Sequence, residues 1–310
     1  MTKKMRGNVL LLLAAFIWGL SFVAQSEGMK YIGPFAFIGI RSMLAGVSLA
    51  VFLAIRSLVS GKKKQAKEVQ EKSRDAKEKR KTLLAGGICC GLVLFVATML
   101  QQVGILHTNE PGKAGFITAL YLILVPIAGI FFRKKIGIKV WIAVVLAVCG
   151  MYLLCITEGF RIATGDLYLL GCAVVFTVHI LVIDHFSPKT DGVAMSCIQF
   201  LVCGVIAMTG MFLTEKVELS HILSAWLPLV FSGVFSGGVA YTLQIVAQKD
   251  TEPTIATLLM SLESVFAVLG EWLILGQFLT AREFGGCALM FVGIILSQLP
   301  ERMEKNSAAN

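Results

Sequence analysis

The sequence predicts an all-α integral membrane protein of ten transmembrane helices, arranged as two inverted five-helix repeats. Three observations predict it. Hydrophobic residues fill 56% of the 310 positions and charged residues only 15%, an apolar share beyond that of a soluble domain. The apolar residues are gathered into long runs. The two halves of the chain also echo each other at fixed offsets.

Apolar spans are expected at about 7–25, 34–55, 83–106, 112–132, 138–156, 167–186, 193–213, 226–247, 253–276 and 284–299, mostly near the ~20 residues that a hydrocarbon core of about 30 Å demands. The first follows MTKKMR and contains Ala24, Gln25 and Ser26, a signal-peptide pattern. It is long for a signal h-region, and the second half holds an uncleavable counterpart. Residues 61–81 form a basic loop in which ten Lys and Arg face four acidic residues; its Glu68/Lys72 spacing is helical. That loop holds most of the net charge of +9, so little basic surface remains elsewhere for phosphates and no nucleic-acid partner is expected. The bilayer is the expected partner. The eight cysteines all sit in apolar runs and read as small buried hydrophobes, without a disulfide or zinc framework.

Lys and Arg set the orientation. With a cytoplasmic N-terminus, the inner segments collect Lys3, Lys4, Arg6, Arg56, the 62–81 cluster, Arg133, Lys134, Lys135, Lys139, Lys189, Lys249, Arg302 and Lys305. The outer ones keep only Lys30, Lys113, Arg161, Lys216 and Arg282. Both termini are therefore expected in the cytoplasm of a multi-pass plasma-membrane protein, with 301–310 as a tail.

An offset of 158 carries Ala15 to Ala173, Trp18 to Phe176, Ala36 to Ala194, Arg41 to Gln199 and Gly46 to Gly204. Further along, an offset of 142 carries Gly91 to Gly233, Gln102 to Gln244, Glu110 to Glu252, Pro111 to Pro253 and Leu120 to Leu262. The longer basic loop in the first half accounts for the difference. The repeats are thus 1–60 with 82–156, and 165–300. Five spans per repeat is an odd number, so the second copy enters the membrane in the opposite sense. Such an arrangement places a binding site near the midplane between the halves. Tyr121 and Glu263 are equivalent under the 142 offset, lie about midway along their spans, and are expected to meet there.

With IWGLSFVA in span 1, FIGIRSMLAG in span 2, LYLILVPI in span 4 and LESVFAVLGEWLILGQFLT in span 9, the chain resembles the EamA-type transporters of the drug/metabolite transporter superfamily. The resemblance covers nearly the whole chain. It implies a secondary carrier of small metabolites, commonly an exporter, with a cavity lined by spans 1 to 4 and 6 to 9. The chain departs from the family where it reads Glu263-Ser264 in place of Glu-Pro, and at Gly276-Gln277 and Lys134-Lys135 in place of Gly-Glu.

Polar residues within the spans are the candidate site. Glu263 near the midplane costs several kcal/mol unless paired, protonated or facing water; it either lines a cavity and carries a proton, or is a neutral carboxyl bonded between helices. Glu271, toward the outer interface, can pair or snorkel. Arg41 offers a fork for a substrate carboxylate or phosphate, or else braces a helix end. Trp18, Ser21 and Gln25 share a face of span 1, toward a cavity or a packing surface. Gln102 and Gln244 serve gates or bind neighbouring helices. Tyr121 and Tyr241 need partners if buried. Gly233 and Gly237 make a small-xxx-small packing face.

Enzyme signatures are weak. His179, Asp184 and His185 are not spaced to share a helical face as metal ligands, and GGICCG and SGGVA lack the Gly-Lys-Ser/Thr ending of a P-loop. The expectation is a carrier, not an enzyme, without cofactor or metal. Its cargo would be a small polar metabolite, amino acids or amine-like compounds first, moved by alternating access with proton coupling through Glu263. It would work as a monomer or homodimer. The alternative is a membrane-embedded enzyme or sensor, for which Asp184 and His185 would be the starting constellation.

Overall fold

The computed structural model describes residues 3–60, 72–108, 111–131, 133, 136–155, 163–266, 269 and 280–299. Every regular element among them is helical. Seven helical segments are long and apolar enough to cross a membrane, against the ten expected. The other three stop short of that mark for local reasons. Ile138–Leu153 and Pro253–Phe266 are apolar but shorter, most of the chain beyond Phe266 lying outside the described residues. The last helix, Ala281–Gln298, spends its first turn on Arg282 and Glu283. Glu110, Arg161, Glu271, Gly276, Gln277, Lys134, Lys135, the 61–71 part of the basic loop and the 301–310 tail also lie outside the described residues.

The outside of the bundle is apolar, and its interior packs polar side chains among a hydrophobic core. Phe131, Leu213 and Phe212 are 84%, 78% and 76% exposed, while Gln102, His179 and Gln199 are fully buried. In water this arrangement would be unfavourable at both surfaces. In lipid it places side chains where each is best solvated. Cys89 and Cys149 belong to that outer surface, which corrects the expectation that the cysteines are buried; an apolar thiol is equally at ease against lipid.

The helices are α1 (Lys3–Gly28), α2 (Pro34–Ser60), α3 (Lys72–Thr108), α4 (Pro111–Thr118), α5 (Tyr121–Phe131), α6 (Ile138–Cys155), α7 (Thr164–Phe186), α8 (Gly192–Thr214), α9 (Leu219–Ser224), α10 (Trp226–Val230), α11 (Tyr241–Ala247), α12 (Pro253–Met260) and α13 (Ala281–Gln298). A π-helical stretch, Phe231–Ala240, joins α10 to α11. The last part of the basic loop is the beginning of α3, which starts well ahead of its apolar run. The most extensive packing is α2 on α8, α3 on α7 and α6 on α13, with α1 against the π-helical stretch and α11. Small residues allow the close approaches: a Cβ at Gly233 would lie 2.8 Å from the Arg41 carbonyl oxygen, and one at Gly237 2.9 Å from Ala45 Cβ.

Helices α2 and α8 run antiparallel and are fastened at both ends. At one end the first turn of α2 follows Gly33, which has no side chain to cap it. Glu215, just past the end of α8, accepts from Phe35 N through Oε1 and from Ala36 N through Oε2, both at 2.9 Å. The orphan donors and the positive end of the helix dipole both favour a carboxylate there. Gly33 is needed for this reach, because a Cβ on it would collide with the Glu215 carboxylate. At the other end Asp191 caps α8, its Oδ1 accepting from Val193 N and Ala194 N at 3.0 Å each. Its Oδ2 takes Arg56 Nη2 from the end of α2 at 2.7 Å. Residues 193 and 194 are the 158-offset counterparts of 35 and 36, so equivalent N–H groups are capped in both helices.

Candidate functional site: a buried polar cavity

Two helix breaks at equivalent positions prepare the site. Between α4 and α5, Leu120 N bonds Ile117 O at 3.2 Å and Leu122 N bonds Ala119 O at 2.9 Å. Between α12 and the short helix that restarts at Glu263, Leu262 N bonds Leu259 O at 3.3 Å and Ser264 N bonds Ser261 O at 3.2 Å. Each of these four bonds is i to i−3, and the second pair is the first displaced by 142 residues. The tightened turns interrupt the ladder. Ser261 Oγ then donates to Leu258 O at 2.8 Å, satisfying a carbonyl that a regular turn would have used. Tyr121 and Glu263 come directly after the breaks, and Tyr121 Oη donates to Glu263 Oε1 at 3.1 Å.

The bond lies beside a cavity of about 50 Å³. At roughly 10–15 Å³ per water this holds a few waters, so admitting a metabolite requires the walls to move. Trp18, Ser21 and Gln25 of α1, Arg41 of α2, Tyr121, Tyr241, Gln244 and Glu263 all line it. Gln102 does not: it is fully buried elsewhere and its neighbour Gln101 faces the space. The π-helical stretch changes the rotation per residue ahead of Gln244, whereas α3 stays regular, so the two glutamines face differently despite their matching positions.

Phe22, Thr118, Phe176, His179, Ile180, Ser236 and Met260 complete the wall, and sequence reasoning passed over them as cavity residues. The offsets contain the missing signal. Trp18, Ser21 and Phe22 pair with Phe176, His179 and Ile180 at 158, while Thr118 and Tyr121 pair with Met260 and Glu263 at 142. Ten of the sixteen lining residues are thus five equivalent pairs, and the cavity sits where the two halves meet.

Its chemistry is polar and asymmetric. Arg41 is 6% exposed; its guanidinium lies 5.8 Å over the Phe37 ring and forms no ion pair with Glu263 or any other described carboxylate. Five buried polar atoms of the wall have no protein partner: Trp18 Nε1, Gln25 Oε1, Arg41 Nε, His179 Nδ1 and Gln244 Oε1. Such atoms also occur away from the cavity, both amide atoms of Gln102 and of Gln248 among them; what sets this space apart is that five of them share one wall. Tyr241 packs edge-on against Trp18 at 4.8 Å and His179 at 6.0 Å, adding an aromatic wall. His185 stands apart from His179, 3.1 Å from Lys189 Nζ at the end of α7.

A helical bundle with an apolar outside and a polar-walled cavity within defines a multi-pass membrane protein. Comparison with known proteins gives the family. The model of the EamA-like transporter family matches residues 5–156 and again 163–299, and the chain belongs to that family. An uncharacterized transporter of Archaeoglobus fulgidus is 29% identical over 96% of this chain and 87% of its own. The uncharacterized transporter YwfM of Bacillus subtilis is 23% identical over 98% and 99%, and the uncharacterized inner membrane transporter YedA of Escherichia coli is 22% identical over 91% and 87%. A solved crystal structure superposes at a TM-score of 0.74 with 16% identity, over 94% of this chain and 96% of that one, a likeness of fold alone.

Proposed function

We propose that the protein is a ten-helix secondary carrier of the plasma membrane that moves small polar metabolites, amino acids or amine-like compounds foremost, by rocking of two inverted five-helix halves. Export, with both termini in the cytoplasm, is the direction of this reading. The observation that carries it is the set of five unpartnered polar atoms around one cavity, together with a buried guanidinium and a buried carboxyl that do not neutralise each other. A zwitterion would meet both charges, its carboxylate at Arg41 and its ammonium at the acceptors and Glu263. The double family match, the antiparallel α2 and α8, the paired helix breaks and the five equivalent wall pairs support the inverted halves. Both halves reside on one chain, so a monomer suffices for the cycle.

Glu263 is the one carboxyl among the described residues that lines the cavity, and a coupled proton would ride on it. Reconstitution into proteoliposomes with a labelled amino-acid panel and an imposed pH gradient tests the reading. The wild type should move at least one amino acid faster with the gradient than without, and Glu263→Gln should abolish that difference. Gradient dependence that survives in Glu263→Gln removes the coupling, and no flux across the whole panel removes the cargo class.

A further inference from the structure

His179 is fully buried in α7, yet it belongs to the cavity wall. Its Nε2 lies 3.1 Å from Gln199 Oε1 of α8, while its Nδ1 has no protein partner. An amide oxygen can only accept, so this contact puts the ring hydrogen on Nε2 and leaves a bare lone pair on Nδ1. No described carboxylate pairs with the ring, and Gln199 offers it only a neutral partner. Phe176 and Tyr241 hold it edge-on at 6.3 and 6.0 Å.

The counterparts of this pair sharpen its meaning. The 158 offset carries Ser21 to His179 and Arg41 to Gln199, so the matching positions in the first half present a cationic fork where the second half presents an acceptor. The free donors of the wall, Arg41 Nε and Trp18 Nε1, suit an anionic group. The free acceptors, Gln25 Oε1, Gln244 Oε1 and His179 Nδ1, suit a group rich in N–H.

We propose that His179 is a specificity-determining residue, held by Gln199 as a positioning residue, whose Nδ1 accepts a hydrogen bond from the amino group of the cargo and so distinguishes amino acids from their deaminated analogues. This rests on the carrier reading above and deepens it. A site built to bond a group rejects the analogue that lacks it, because the site's own buried atom is then left unpaired.

The test pairs each amino acid carried by the wild type with its des-amino acid as competitor. Wild type should favour the amino acid by at least about tenfold, the effect of one hydrogen bond from a charged donor. His179→Leu should bring the ratio to within about threefold, and His179→Asn, whose amide oxygen falls near the Nδ1 position, should restore most of it. An unchanged ratio in His179→Leu overturns the proposal while leaving the carrier reading intact. A second measurement is independent of flux. The chain has four histidines, so ¹⁵N-histidine labelling gives four ring systems, and the His179→Asn spectrum identifies the missing one. A bare Nδ1 in wild type, with the tautomer preference lost in Gln199→Leu, supports the acceptor role independently of flux; an Nδ1–H tautomer overturns the proposal, and carriage of no amino acid removes it together with the reading it rests on.

Discussion

Tyr121 and Glu263 stand 142 residues apart at equivalent positions of the two halves, and each is held against the other by a 3.1 Å hydrogen bond directly after a helix break. The bond joins the two discontinuous helices where they meet. Tyr121→Phe keeps the ring and removes the donor, leaving the buried carboxyl without its partner. A loss of about 1–3 kcal/mol is expected, read as a lower melting temperature in detergent, together with reduced flux. Equal stability and flux in Tyr121→Phe would remove the bond from the mechanism.

Arg41 is predicted to be a residue that costs stability and serves function. A buried charge with no ion-pair partner is expensive, and a site residue commonly sacrifices stability for activity. Arg41→Leu should therefore melt at the same or a higher temperature than wild type while losing flux by at least tenfold. A clear drop in melting temperature would instead make Arg41 a brace.

Two glycines in helical segments should respond oppositely to alanine. At Gly233 the new Cβ meets the Arg41 carbonyl oxygen at 2.8 Å, backbone that cannot yield without moving the guanidinium; a cost of about 1–3 kcal/mol follows. At Gly285, in α13, nothing lies within 4 Å, and the better helix propensity should add up to about 1 kcal/mol. Thermal melts of the two variants decide this together.

The fastening of α2 to α8 predicts a pH response confined to acid. Burial alone would raise the Asp191 carboxyl, but the Ala194 N–H, the Arg56 guanidinium and the Val193 N–H outweigh it and hold the group below its ordinary range. Its contribution is then fully present above the usual value of 3.8 and fades as pH falls through the lower folded value. Because the pair is nearly half exposed, Arg56→Ala should cost well under about 1 kcal/mol at neutral pH and less in high salt. Glu215→Ala leaves two N–H groups uncapped and should cost more, about 1–2 kcal/mol. Melts of both variants between pH 7 and 3 measure the difference.

Much of this was legible in the chain because hydropathy and duplication act through simple rules. Runs of apolar residues mark the spans, and the two offsets alone bring Tyr121 to Glu263. The helix breaks were not legible, since Ala119-Leu120 and Ser261-Leu262 carry neither Gly nor Pro and their turns are set by tertiary packing. The π-helical stretch does carry glycines, Gly233, Gly237 and Gly238, but they read as a close-packing face of a regular span, which is why Gln102 and Gln244 were expected to match and do not. His179 was weighed as a metal ligand and as a satisfied or interfacial histidine, never as a cavity residue, although extending the Trp18 to Phe176 equivalence by three residues leads from Ser21 to it. Glu215 capping α2 from 180 residues away is a contact no local pattern announces.

The inverted arrangement of the halves is tested most directly by labelling equivalent points from one side of the membrane. Tyr31 and Lys189 are 158-offset counterparts and both are exposed. In intact cells a membrane-impermeant maleimide should react with the Tyr31→Cys variant at once and with the Lys189→Cys variant only after permeabilisation. Labelling of both variants from the same side would contradict the account.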